Sequence, residues 1–189
     1  MASTNPFDQI RNKAGDTERS VQWYQTNVKQ LSNLRPNKLM ANTPQLVNKI
    51  MPGKMYMFFY DAKLKDKLPY WDMFPLVLPF KILPDGFLGI NLHYLPYGAR
   101  FKLLGILSDY ANNDKMDQST KLLLSWKVLN SSSRLNMIKP CVKHYLKDQL
   151  QSRFLQINYP DWVIASQLPV ERFEGANKNQ VWKDSKAKY

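Results

Sequence analysis

The chain has 189 residues, 44% of them hydrophobic, with a net charge of +12 from 27 Lys+Arg against 15 Asp+Glu. That length fits one domain of ordinary size with enough apolar side chains for a core. The single cysteine, Cys141, excludes an internal disulfide and a cysteine-based zinc site, and no run of about 18 or more apolar residues exists to form a membrane helix.

Residues 1–6 lack the apolar stretch of a signal peptide, so synthesis and use in a reducing cytoplasm are expected. The cationic excess raises the local concentration of polyanions such as DNA or RNA. Solubility, or contact with an acidic protein, is the plainer reading of the same charge.

Residues 5–34 read as a helical arm. Pro6 suits a first helical turn, and Ile10, Val21, Tyr24, Val28 and Leu31 form a loose stripe at helical spacing. Gly15 and Asp16 interrupt it, which starts the main helix after them with Asp16 as its cap. The stripe is thin, so the arm is expected to be ordered mainly by partners, on its own domain or on a neighbouring subunit. Residues 35–54 are a linker with one short turn, opened by Thr43-Pro44 and closed by Pro52-Gly53.

Residues 55–95 are the β unit. The run from Met55 to Tyr60 is apolar and aromatic throughout, as in a strand buried on both faces. A charged loop follows over 61–69. A second strand runs from Leu76 to Leu83, and Pro79 within it signals an edge or a bulge. Pro84-Asp85-Gly86 is a strong turn signal, since proline fixes φ and glycine accepts positive φ. A third strand follows from Phe87 to Leu95. A long loop and then a hairpin of Pro-bearing strands imply a small SH3-like barrel.

The remainder reads as helix. Residues 97–110 carry Phe101, Leu104, Ile106 and Leu107 on one side, and 117–129 carry Leu122, Leu123, Trp126 and Leu129. Residues 142–154 carry Val142, Tyr145, Leu146, Leu150 and Phe154, with Pro140 at the helix start, and 161–165 form one further turn. The last residues are polar and hold Lys178, Lys183, Lys186 and Lys188, a basic tail expected to be mobile without a partner. The resulting fold class is α+β. Its parts are an arm and linker over 1–52, a small twisted β unit over 53–97, a helical part over 98–176 and a tail over 177–189.

No residue set meets the needs of catalysis. A metal nuclease needs clustered carboxylates, usually with a lysine beside them. Asp61, Asp72 and Asp85 sit at loop edges, and no acidic-x-lysine pair follows Asp85. Capping and turn roles explain them. His93 and His144 are the only histidines and read as packed side chains with one bonded nitrogen. The seven glycines are scattered and form no phosphate-cradling loop. Cys141 reads as a buried structural thiol. No enzyme activity, metal or cofactor is therefore expected.

Positive charge is more informative. Lys139, Lys143 and Lys147 are spaced by four and share one face of the expected third helix, with Arg153 further along and Arg134 upstream. Such a stripe can follow phosphates, although a solvated helix face is its ordinary meaning. Lys178 and Lys183 of the tail join these candidates. Lys63, Lys65 and Lys67 alternate in a loop, where charge is commonplace. Tyr70, Trp71 and Trp182 can stack on bases, but with Phe173 they serve equally as anchors of a protein interface.

Three stretches carry a family resemblance: 53–76, with Leu68-Pro69-Tyr70-Trp71-Asp72; 85–95; and 168–173 with 180–185. Together they resemble the DNA end protector family of T-even-like tailed phages. The resemblance implies a non-enzymatic protein that caps the ends of the packaged linear genome near the head–tail junction and shields them from host exonuclease. It carries no residue-level DNA contacts, so the candidate DNA-facing residues rest on charge pattern alone.

The implied partners are double-stranded DNA ends or other phage structural proteins in a multi-subunit virion, with no membrane. The protein would lie in the host cytoplasm during assembly and then in the virion. The same Pro-rich aromatic segments also suit permanent contacts in an assembly, so a structural subunit of the tail, baseplate or neck is the alternative.

Overall fold

A computed structural model describes residues 5–17, 19–31, 34–41, 44–111 and 133–188. The helix expected over 117–129, with Trp126, lies outside these residues, as does Thr43. The class is α+β, as expected. The strands are β1 (Leu46–Val47), β2 (Met55–Met57), β3 (Trp71–Asp72), β4 (Leu76–Leu83), β5 (Gly86–Asn91), β6 (Val142–Leu146), β7 (Phe154–Ile157) and β8 (Phe173–Glu174). Six of them form one antiparallel sheet in the order β1-β7-β2-β4-β5-β6, and β3 pairs with β8 in a separate ribbon.

Among the described residues no closed barrel of the expected SH3-like kind is found. The sheet is open, with β1 and β6 at its edges, and β1, β6 and β7 come from outside residues 53–97. The local hairpin is present, but its partners arrive from far along the chain.

Alternation along β2 explains its all-apolar sequence. Met55 and Met57 join the larger core, with Leu76, Leu78 and Ile90, whereas Tyr56, Phe58 and Tyr60 point into a second, aromatic core. There Phe58 meets Phe154 at 5.1 Å and Tyr145 at 5.2 Å between ring centroids, and Phe87 stacks on Tyr145 at 5.3 Å. Edge-to-face and offset geometries of this kind add to simple burial. Pro79 occupies a bulge where the β4–β5 register shifts, which removes the need for its missing donor in an interior strand.

The helices are α1 (Pro6–Ala14), α2 (Val21–Lys29), α3 (Pro36–Met40), α4 (Tyr97–Ala111), α5 (Trp162–Gln167) and α6 (Lys178–Lys186). The arm is two helices broken at Gly15, whose φ of 60° suits glycine. The second helix is capped by Ser20, not Asp16: its hydroxyl accepts from Trp23 N–H at 3.2 Å. Phe7, Ile10 and Val28 enter the larger core, so the arm packs on its own domain.

Two stretches read as helix or tail are otherwise. Residues 142–154 run through β6 and a 3-10 turn over Lys147–Gln149 to the start of β7, so 98–176 contains three strands as well as helices. Val142, Tyr145 and Leu146 have helical spacing, but pairing with β5 over Gly86–Ile90 prevails. The third strand also stops at Asn91, where its side chain accepts from His93 N–H and caps a 3-10 turn over Leu92–Tyr94. The basic tail is helix α6, capped by Asn177, with Val181 and Ser185 buried on one face. Spacing of i and i+4 around one valine is a weak signal, easily lost among lysines.

Gly86 has a different role from the expected one. Its φ is not positive, yet a Cβ there would strike the Tyr145 carbonyl oxygen of β6. Gly86→Ala is expected to cost about 1–3 kcal/mol through forced separation of β5 and β6, read from urea unfolding midpoints. A loss under about 0.5 kcal/mol, the range of neutral surface changes, would show that β6 moves aside freely.

Candidate nucleic-acid interface

The three segments of the family resemblance meet at one buried polar node. β3 brings Asp72, the 3-10 turn after β5 brings His93, and the chain around β8 and α6 brings Glu171, Arg172 and Trp182. Asp72 Oδ1 accepts from the main-chain N–H of Phe74 at 3.1 Å and of Arg172 at 3.2 Å. Its Oδ2 accepts from Asn91 Nδ2 at 3.1 Å and lies 2.8 Å from His93 Nδ1. Trp182 Nε1 donates to His93 O at 2.9 Å, tying α6 to the node.

Arg100 of α4 is wholly buried beside this pair. It donates to the carbonyl oxygens of Leu95 at 2.7 Å and Ser166 at 2.9 Å, and Nη1 lies 3.9 Å from Glu171 Oε2. Burial pulls its pKa below the usual arginine value, with Glu171 opposing. Glu171 Oε1 accepts from Tyr97 Oη and Lys178 Nζ, each at 2.9 Å. Burial by itself would raise the Glu171 carboxyl, but His93, Arg100 and Lys178 together hold it down at about 2. This arrangement sets Glu171 between Arg100 and Lys178 and ties strands, α4 and α6 together, with Glu171 Oε2 and His93 Nε2 buried without a hydrogen-bond partner among the described residues.

The node absorbs several residues singled out from sequence. Lys178 binds Glu171 and Tyr97, and Trp182 packs on Tyr97 at 5.4 Å. Phe173 packs edge-on against Tyr94 at 5.2 Å. Asp61 pairs with Lys65 and Asp85 with His144, so the three loop aspartates do not gather. Among the described residues no group of three or more His, Cys, Asp or Glu could hold a metal ion. Cys141 is buried, and burial pushes its thiol up to about 12.

The lysine stripe does not exist as a helix face. Lys139 is exposed in a 3-10 segment, Lys143 lies on β6, and Lys147 is exposed at the turn after it, donating to Pro84 O at 3.2 Å. Arg153 is exposed just before β7, and Lys183 is exposed on α6. The open cations are therefore spread over several elements.

Lys143 stands apart. Its Nζ sits 4.0 Å above the centroid of the Tyr94 ring, and no carboxylate pairs with it among the described residues. Burial pulls its pKa down to about 8, and the nearby Lys188 adds repulsion. It lines a pocket of about 330 Å³ between the β6 edge, the 61–69 loop and β3. Tyr60, Tyr70, Trp71 and Tyr94 supply aromatic walls, and Lys63 and His144 add cationic or ionisable groups.

Tyr70 and Trp71 were legible in the sequence as stacking candidates, and the structure sets them beside Lys143. Lys63 and His144 were not legible as members of this site, because a charged loop and a lone histidine carry no local signal of what faces them.

A family model described as Phage T4 terminal DNA protecting protein matches residues 7–187. No curated protein and no solved structure matches the chain. Among the described residues no helix is long and apolar enough to cross a membrane.

Proposed function

The chain belongs to the phage T4 terminal DNA protecting protein family, and from that premise we propose that it is a non-enzymatic virion protein that binds and caps packaged DNA ends near the head–tail junction, shielding them from host exonuclease. The family match over 7–187 carries this reading. The net charge of +12 supports it, since neutralising phosphates releases condensed counterions. Made in the host cytoplasm, the protein would travel in the virion. Lys139, Lys147, Arg153 and Lys183 are its proposed phosphate contacts, being exposed cations outside the polar node.

The test compares affinity for a blunt linear duplex with that for a closed circle of the same sequence, across a salt series. We expect preference for the linear form and protection from exonuclease at low stoichiometry. Alanine at all four cations is expected to flatten the salt dependence by about 0.9 in slope for each phosphate no longer neutralised. An unchanged slope would remove these residues from the interface. Metal-dependent cleavage of linear DNA by the pure protein would refute the non-enzymatic reading.

The alternative, a structural subunit of the tail, baseplate or neck, draws on the exposed Leu64 and Leu68, which a protein neighbour could cover. Absence of DNA binding, with stable incorporation into particles at fixed copy number, would favour it.

A further inference from the structure

We propose that the pocket beside β6 holds the 5′-phosphorylated terminal nucleotide of a duplex, with the phosphate on Lys143 and the sugar and base against Tyr60, Tyr70 and Trp71. This rests on the reading of the protein as a DNA-end binder and names what part of the end it grips.

Size is the first argument. A pocket of about 330 Å³ is at the small end of ligand sites, which span ~300–1,000 Å³. It has room for one nucleotide. A continuous strand can only pass its mouth, whereas an end can enter, so the pocket distinguishes ends from internal DNA by shape.

Charge is the second. Lys143 is partly withdrawn from water, its Nζ lies over the Tyr94 ring beside Cys141, and no ion pair to a carboxylate holds it among the described residues. A partly buried cation with no carboxylate beside it gains most from a desolvated anion. A terminal phosphate monoester carries about −1.5 to −2 at pH 7, against a single charge on each internal phosphodiester. Lys63 and His144 line the same pocket, and Lys188 is near enough to Lys143 to repel it. Asp72 reaches the pocket wall, but its oxygens accept from three N–H donors and face His93 Nδ1. Asp184 engages the Tyr70 hydroxyl, and Asp85 engages His144 at 3.1 Å.

The aromatic wall is the third. Stacking on rings tolerates any base, because every base has a π face, so the pocket needs no particular terminal sequence. Trp71 Nε1 is buried without a hydrogen-bond partner among the described residues, leaving a donor for an oxygen of the incoming nucleotide.

The experiment uses the full chain and three DNAs of one sequence: blunt linear with 5′-phosphate, blunt linear with 5′-hydroxyl, and closed circle. The phosphorylated end is expected to bind about tenfold tighter than the hydroxyl end, the scale of one charge-assisted hydrogen bond. Lys143→Met should abolish that ratio and leave circle binding unchanged. Leu64→Glu provides a second variant: Leu64 is 55% exposed at the pocket, so folding is insensitive to it, and the new carboxylate should repel the phosphate.

In parallel, a deoxynucleoside 5′-monophosphate should raise the Lys143 pKa, followed by lysine-resolved NMR. Preference for linear over circular DNA without discrimination of the 5′-phosphate would overturn the pocket assignment and leave end binding intact. Loss of the linear preference itself would overturn the end-protection reading. In that case, a pKa response to the monophosphate would mark a nucleotide site unrelated to DNA ends. A response to inorganic phosphate as strong as to the monophosphate would overturn the assignment of a nucleotide.

Discussion

Asp72→Ala is expected to lower folding stability by about 3–5 kcal/mol, because it strips one acceptor from several groups at once and each buried polar group left unsatisfied costs about 1–3 kcal/mol. The side chain is almost fully buried and accepts from Phe74 N–H, Arg172 N–H and Asn91 Nδ2 while facing His93 Nδ1 at 2.8 Å. Alanine takes the acceptor from the Phe74 and Arg172 N–H groups and Asn91 Nδ2 and leaves His93 Nδ1 without its partner. It also removes the acceptor that joins β3 to the chain entering β8.

Asp72→Asn keeps one carbonyl oxygen for the two main-chain donors but puts an amide where Oδ2 faced Asn91 and His93. Its expected loss is smaller, about 1–3 kcal/mol. Urea unfolding of both variants measures these values. A loss below about 1 kcal/mol for Asp72→Ala, the scale of a single ordinary hydrogen bond, would mean that the node repacks around other acceptors and is not the lock described above.

Acid should weaken the protein through Glu171. Its carboxyl lies at about 2 in the folded chain against an ordinary 4.5. A depressed carboxyl contributes stability that is fully present above the unfolded value and is lost as pH falls through the folded one. The window is therefore about pH 4.5 down to 2. A shift of that size corresponds to about 3 kcal/mol, with the side chain only 4% exposed and little screened.

Glu171→Gln should flatten stability against pH across that window, because glutamine keeps an acceptor for Tyr97 and Lys178 but does not titrate. It should also destabilise at neutral pH, since Arg100 stays buried with carbonyl and aromatic partners but without the carboxylate beside it. Urea unfolding at steps from pH 7 to pH 2 reads both effects. A wild type and Glu171→Gln with parallel profiles below pH 4.5 would show that other carboxylates carry the acid sensitivity.

Local signals in the chain mark several elements correctly. Proline at 84 and aspartate at 85 make a two-residue connection between β4 and β5, because the turn chemistry is contained in the residues that turn. Pro79 announces a bulge for the same reason. The buried thiol of Cys141 and the packed His93 also follow from residue type and apolar surroundings. The distinctive aromatic segments were sufficient to point to the family, although their physical role was not legible. They are the parts that meet in the Asp72–His93 node and in the β3–β8 ribbon.

The α+β class, the hairpin, the cationic excess and the family thus follow from the chain alone. Each rests on composition, short-range chemistry or a segment long enough to be distinctive. Whether residues 142–154 would be helix or strand was settled only in three dimensions, because spacing at three and four residues fits a helix and only pairing with β5 selects the strand. Packing likewise made a helix of the lysine-rich end, since Val181 joins the larger core and Trp182 donates to His93 O, both far away in sequence. The pocket beside β6 is the extreme case. Lys63, Trp71 and Lys143 are brought together from distant parts of the chain, and the burial that makes Lys143 unlike the other lysines exists only once the sheet has formed.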